Sequence, residues 1–142
     1  MIAQTIQLAL APVFVLVAIG NILGILTSRL ARIVDRSRTL QDRHGQTEGA
    51  ERDVVVREIL SLDRRTTLVN RAITLLVIGG LFIGTTVAIL FVEEIARINL
   101  QLVAAGAFLV AVALLMGALT LFLYETRVAT QSLRIPRDFL DI

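Results

Sequence analysis

The chain has 142 residues, 56% of them hydrophobic, a mean hydropathy of +0.79 and a formal net charge of +2. It has no Cys, which excludes disulfides, thiolate metal sites and cysteine nucleophiles. All fourteen Lys and Arg positions are Arg, so the pI of about 10.4 reflects arginine's high pKa rather than a charge excess and does not indicate nucleic-acid binding.

The apolar residues are gathered into three blocks instead of being dispersed as in a soluble domain, which predicts an integral membrane protein. Met1 to Thr5 carry no basic residue and no small-residue cleavage site follows, so the first block is expected to stay in the mature chain.

Span one is predicted from Ile6 to Leu26, roughly 31 Å at helical rise. Pro12 removes one backbone bond, which neighbouring helices can tolerate. Gly20 and Gly24 form a GxxxG pair, a spacing that lets two backbones approach closely. The polar residues of this span fall on one stripe: stepping by three and four from Gln4 gives Gln7, Ala11, Phe14, Ala18, Asn21, Ile25, Ser28, Arg32 and Asp35. Polar groups in hydrocarbon face protein or water. The stripe is therefore either a packing seam, with Gln7, Asn21 and Ser28 bonding across helices, or the lining of a polar path among several copies. Phe14 and Ile25 interrupt it, which favours the seam.

Residues 29 to 71 hold ten arginines and seven acids, among them Arg29, Arg32, Arg36, Arg64, Arg65 and Arg71. The tail after Tyr124 adds Arg127, Arg134 and Arg137, whereas the loop between the later spans offers only Arg97 beside Glu93 and Glu94. The positive-inside rule then predicts the N-terminus outside, the long connection and C-terminus in the cytosol. Leu30, Ile33, Val34 and Leu40 recur at helical spacing, and Gly45 and Gly49 bracket a turn. Val55, Ile59, Leu62, Thr66, Val69 and Ile73 follow as a heptad seam leading into span two. The pattern predicts a cytosolic antiparallel helical hairpin over 29–73, its seam holding it together because exposed ion pairs contribute little.

Span two, Thr74 to Val92, carries Gly79, Gly80 and Gly84; span three, Leu100 to Tyr124, has Ala107, Ala111, Ala113 and Gly117 at small-xxx-small intervals. Tail residues Leu133 to Leu140 read as a short amphipathic segment docking on the hairpin. The predicted architecture is all-α and integral to the membrane: helix one over 1–28, the hairpin over 29–73, helices two and three with a short outer loop over 74–124, and a cytosolic tail over 125–142.

Ile6 to Pro12 (IQLALAP), Arg29 to Arg38 (RLARIVDRSR), Arg64 to Leu75 (RRTTLVNRAITL) and, more weakly, Leu123 to Ala129 (LYETRVA) together resemble the bacterial membrane-protein family catalogued as domain of unknown function 2721. Tyr124 departs from the charged residue expected there. The resemblance implies a multi-pass membrane protein and carries no activity to any residue; the expected location is the bacterial inner membrane.

The chemistry of an enzyme is not visible. His44 is the only His, no second His or Cys accompanies it, and the predicted spans contain no carboxylate. No catalytic, metal or cofactor residue is assigned. The leading expectation is a non-enzymatic homo-oligomer acting as a structural or interaction module. The alternatives are a small oligomeric ion channel lined by helix one through Gln7, Asn21 and Ser28, and a sensor of anionic lipids or phosphorylated ligands using the arginines named above. Gly20, Gly24, Gly79, Gly80, Gly84 and Gly117 are the expected close-packing positions.

Overall fold

The computed structural model describes residues 2–45 and 49–133. The predicted turn residues Gln46 to Glu48 and most of the proposed docking segment, residues 134–140, lie outside them. Three helices account for nearly all of the described chain: α1 (Ile2–His44), α2 (Ala50–Ala96) and α3 (Gln101–Leu133). At about 1.5 Å per residue, α1 and α2 are each more than twice as long as a bilayer core requires. All three are long and apolar enough to cross a membrane, yet only 17%, 22% and 17% of their most apolar windows are buried within the chain. Phe14, Leu81, Leu102 and Leu109 point outward. A soluble bundle hides such side chains; here the apolar surface faces away from the core, as lipid-facing helices require.

Every seventh residue sets the packing. In α1 the row is Thr5, Pro12, Ile19, Leu26, Ile33 and Leu40, with Ala9 beside it. In α2 one row is Val55, Leu62, Val69, Leu76 and Ile83, and a second is Ala72, Gly79 and Thr86. In α3 it is Ala104, Ala111 and Ala118, then Glu125, with Ala129 alongside. A strict seven-residue period keeps one seam facing a partner only if straight helices wind into a left-handed supercoil. The heptad expected for residues 55–73 is thus part of a longer one, and Ile59 and Ile73 pack against its core.

Helix α2 lies between its neighbours, and α1 and α3 each pack mainly on it. On the α1 side the seam is Leu, Ile and Val; Arg36 pairs with Glu58 at 2.9 Å near one end, and Leu16 approaches Gly80 toward the other. This antiparallel register brings Leu40 level with Val55, Ile33 with Leu62, Leu26 with Val69 and Ile19 with Leu76. On the α3 side the seam is built of small residues. Gly79 comes close enough to Ala111 that an added Cβ would sit 3.6 Å from its carbonyl oxygen. Helix packing distance follows side-chain size, so α3 sits closer to α2 than α1 does. Helix α2 ends at Arg97, whose φ of 57° places it in the left-handed region, and Asn99 Oδ1 accepts a hydrogen bond from the Gln101 N–H at 3.2 Å to start α3.

The sequence reading ends span three at Tyr124, but the helix itself continues to Leu133, with Glu125 and Ala129 buried. Three helices therefore pack together well past the last apolar residues of span three.

Gly79→Leu should overfill the contact with Ala111, Leu114 and Ile19 and cost about 1–3 kcal/mol. Gly84→Leu, whose added Cβ meets nothing within 4 Å, should change stability by less than about 0.5 kcal/mol. Melting of the two variants in one detergent checks this; equal losses would contradict the seam.

Candidate functional site

The α3 row of small residues ends in a carboxylate. Glu125 lies seven positions after Ala118, so the supercoil that buries the alanines buries it as well, leaving its side chain 0% exposed. Arg65 of α2, seven positions before Ala72, donates from Nε to Glu125 Oε1 at 2.9 Å. Arg29 of α1 places its Nε 2.5 Å from Oε2 as an ion pair not aligned as a hydrogen bond, and its guanidinium lies 5.4 Å from the centre of the Phe122 ring. One ion triad thus ties all three helices, with cation–π attraction adding to it. Its arginines are partly open, with side chains 30% and 18% exposed for Arg29 and Arg65. Removing one partner from such a group strands a buried charge, which costs more than the intact group contributes.

Sequence reasoning missed Glu125. Placing it in the tail, one residue beyond span three, hid its relation to Ala104, Ala111 and Ala118. The available signal was the seven-residue spacing, which small-xxx-small matching does not use: of Ala107, Ala111 and Ala113, only Ala111 is buried.

The polar stripe of α1 lies elsewhere. Gln4, Gln7, Ala11, Phe14, Ala18, Asn21, Ile25, Ser28, Arg32 and Asp35 are all exposed, off the buried row through which α1 packs on α2. The contrast with threonine is informative. Thr27, Thr74, Thr85, Thr86 and Thr120 each return their hydroxyl to the carbonyl four residues back, at 2.7–2.9 Å. Such a side chain can meet lipid. The Asn21 amide has no hydrogen-bond partner among the described residues, and neither has Gln7. Two amides therefore stand on the outer surface of a helix long and apolar enough to cross hydrocarbon.

The glycines divide in the same way. An added Cβ at Gly79, Gly80 or Gly117 would touch another helix of the chain, the last at 3.3 Å from Leu75, whereas Gly20, Gly24 and Gly84 face open space. The Gly20–Gly24 pair thus faces no other helix among the described residues. Among the six arginines singled out, Arg29 and Arg65 are held by Glu125, and Arg36 is held by Glu58. Arg32, Arg64 and Arg71 are exposed. His44 accepts a hydrogen bond at Nε2 from Arg52 at 3.3 Å, joining the end of α1 to the start of α2. Asn21, Gly24, Ile25, Ser28, Arg29 and Arg32 line an open groove of about 460 Å³ along α1. A separate apolar cleft of about 370 Å³ opens between α1 and α3 at the other end, around Leu8, Pro12 and Phe108.

The family model described as "Protein of unknown function (DUF2721)" matches residues 9–135. The chain belongs to this family. The matched region includes Asn21 and the whole Arg29–Glu125–Arg65 triad, and leaves Gln7 outside. No curated protein and no solved structure matches the chain.

Glu125→Gln should cost about 2–4 kcal/mol, below the upper range for a fully buried pair because both arginines reach solvent. Replacing Arg29, Arg65 and Glu125 together by Met should recover most of that loss. Reversible unfolding in mixed micelles measures both. A Glu125→Gln variant as stable as the parent would show that the triad carries no weight.

Proposed function

We propose that this DUF2721 protein is a non-enzymatic, homo-oligomeric protein of the bacterial inner membrane that acts as a structural or interaction module. Copies meet through the outward stripe of α1. The observation that carries this reading is Asn21: an amide with two donors and an acceptor, exposed on an apolar helix and unpartnered among the described residues. Lipid cannot satisfy it, while a second α1 can, and Gly20 and Gly24 beside it leave room for a backbone to approach. Interhelical bonds of this kind contribute about 0.6–2 kcal/mol each, so several copies of a modest contact build the assembly.

In this reading the charged halves of α1 and α2 form a hairpin in the cytosol. The N-terminus and the Arg97 loop lie outside, as the arginine distribution favours. A second reading, a narrow polar path among copies, uses the same face: Gln7, Asn21 and Ser28 would then line water instead of bonding across helices.

Because the chain has no Cys, single-cysteine variants report contacts without background. Ala18→Cys or Ile25→Cys on the stripe should form disulfide-linked dimers when native membranes are treated with a thiol oxidant, and Leu81→Cys on α2 or Leu109→Cys on α3 should not. Adding Asn21→Leu should reduce the α1 cross-link. Cross-linking through α2 or α3 instead would overturn the proposed interface. Ion flux into liposomes that is lost in Asn21→Leu, with dimers intact, would favour the polar path.

For orientation, Cys at Gln41 should resist an impermeant thiol reagent in intact cells and Cys at Ala96 should react. The reverse pattern would invert the topology.

A further inference from the structure

The triad leaves positive charge unbalanced. Glu125 offers about four lone-pair sites, against five N–H donors on each of two guanidiniums. Arg29 is the more open of the two arginines, and it also lines the α1 groove, where Arg32 and the Ser28 hydroxyl stand beside it. Glu125 and the Phe122 ring hold the Arg29 head in place, so its conformational freedom is restricted before any ligand arrives. The groove continues along α1 past Ile25 and Gly24, with no side chain at Gly24 to fill it. Its lining thus runs from two guanidiniums and a hydroxyl, past Ile25 and Gly24, to the Asn21 amide. Arg29 follows closely on the apolar run that ends at Leu26. That is the depth at which phospholipid phosphates lie when α1 crosses a bilayer.

We propose that this groove is a binding site for one anionic phospholipid, with the headgroup phosphate held by Arg29, Arg32 and Ser28 and the start of an acyl chain lying over Gly24 and Ile25. Arg29 provides a preset donor and Arg32 supplies the charge that makes the site selective for a net-negative lipid. The occupant is a lipid and not a soluble phosphate because Arg29 follows the apolar run that ends at Leu26, which sets the arginines at headgroup depth with Gly24 and Ile25 on the acyl side. The site's residues all belong to a single chain, but Gly24, Ile25 and Ser28 are shared with the face proposed for contact between copies, so a lipid and a second α1 compete for it.

The test uses the full-length protein in nanodiscs of phosphatidylcholine, with or without phosphatidylglycerol. The readouts are the lipid retained after exchange into detergent and the melting temperature. The parent should retain phosphatidylglycerol about fivefold or more over phosphatidylcholine, and should melt higher in its presence. Arg32→Gln should lose that preference with its helix content and elution profile unchanged, and Ser28→Ala should weaken it. Arg64→Gln, which removes an exposed arginine from α2, should keep it. Millimolar inorganic phosphate added to phosphatidylcholine discs should not reproduce the stabilisation. The proposal is overturned if the parent shows no preference, if Arg64→Gln loses as much as Arg32→Gln, or if inorganic phosphate stabilises as well as the lipid does.

Discussion

A polar group inside a bilayer has no water to turn to, and the structure depends on how that constraint is met. Backbone groups are met by three long helices. Threonine hydroxyls are met by carbonyls one turn back, which makes Thr85 and Thr120 compatible with an outward position. Glu125 is met by two arginines, one from each of the other helices. Asn21 and Gln7 are not met among the described residues, and the proposed function rests on that remainder.

Helix α2 solves the packing problem by presenting two different seams. Its bulky row, Val55 to Ile83, fills the space toward α1, and its small row, Ala72 to Thr86, admits α3 closely. In lipid the second seam gains little from the hydrophobic effect, so its stability comes from backbone proximity and dispersion. The ion triad closes this seam where the span gives way to the charged halves of the helices. Arg29 and Arg65 cannot both stay paired if α1 or α3 slides by a turn, so the triad also fixes the register. In the oligomer reading that rigidity matters, because it keeps the α1 stripe turned outward in every copy.

Much of this was legible in the residues. The three apolar blocks gave the spans, and the heptad through Val55, Leu62 and Val69 extends through the apolar part of α2 because nothing in Leu76 or Ile83 breaks its period. The α1 stripe was also visible, since period alone places Gln7, Asn21 and Ser28 on one face. Period does not say which face meets α2; that follows from Ile19, Leu26 and Ile33, whose bulk fills the seam. GxxxG spacing was less informative. It shows that a backbone can come near, but not whose: Gly79 and Gly80 meet helices of the same chain, and Gly20 and Gly24 do not. Arg29 and Arg65 looked like their neighbours Arg32 and Arg64 in a basic segment; Arg65 is set apart by standing seven residues before Ala72 on α2's small row, and Arg29 only by its contact with Glu125 of α3.

The central claim is that the unmet amide on α1 is met by another copy of the chain, and subunit counting tests it most directly. Chains carrying one fluorophore each, reconstituted sparsely into nanodiscs or vesicles, should bleach in more than one step, and Asn21→Leu should shift the population toward single steps. Single-step bleaching of the unaltered protein at every protein-to-lipid ratio would contradict the account.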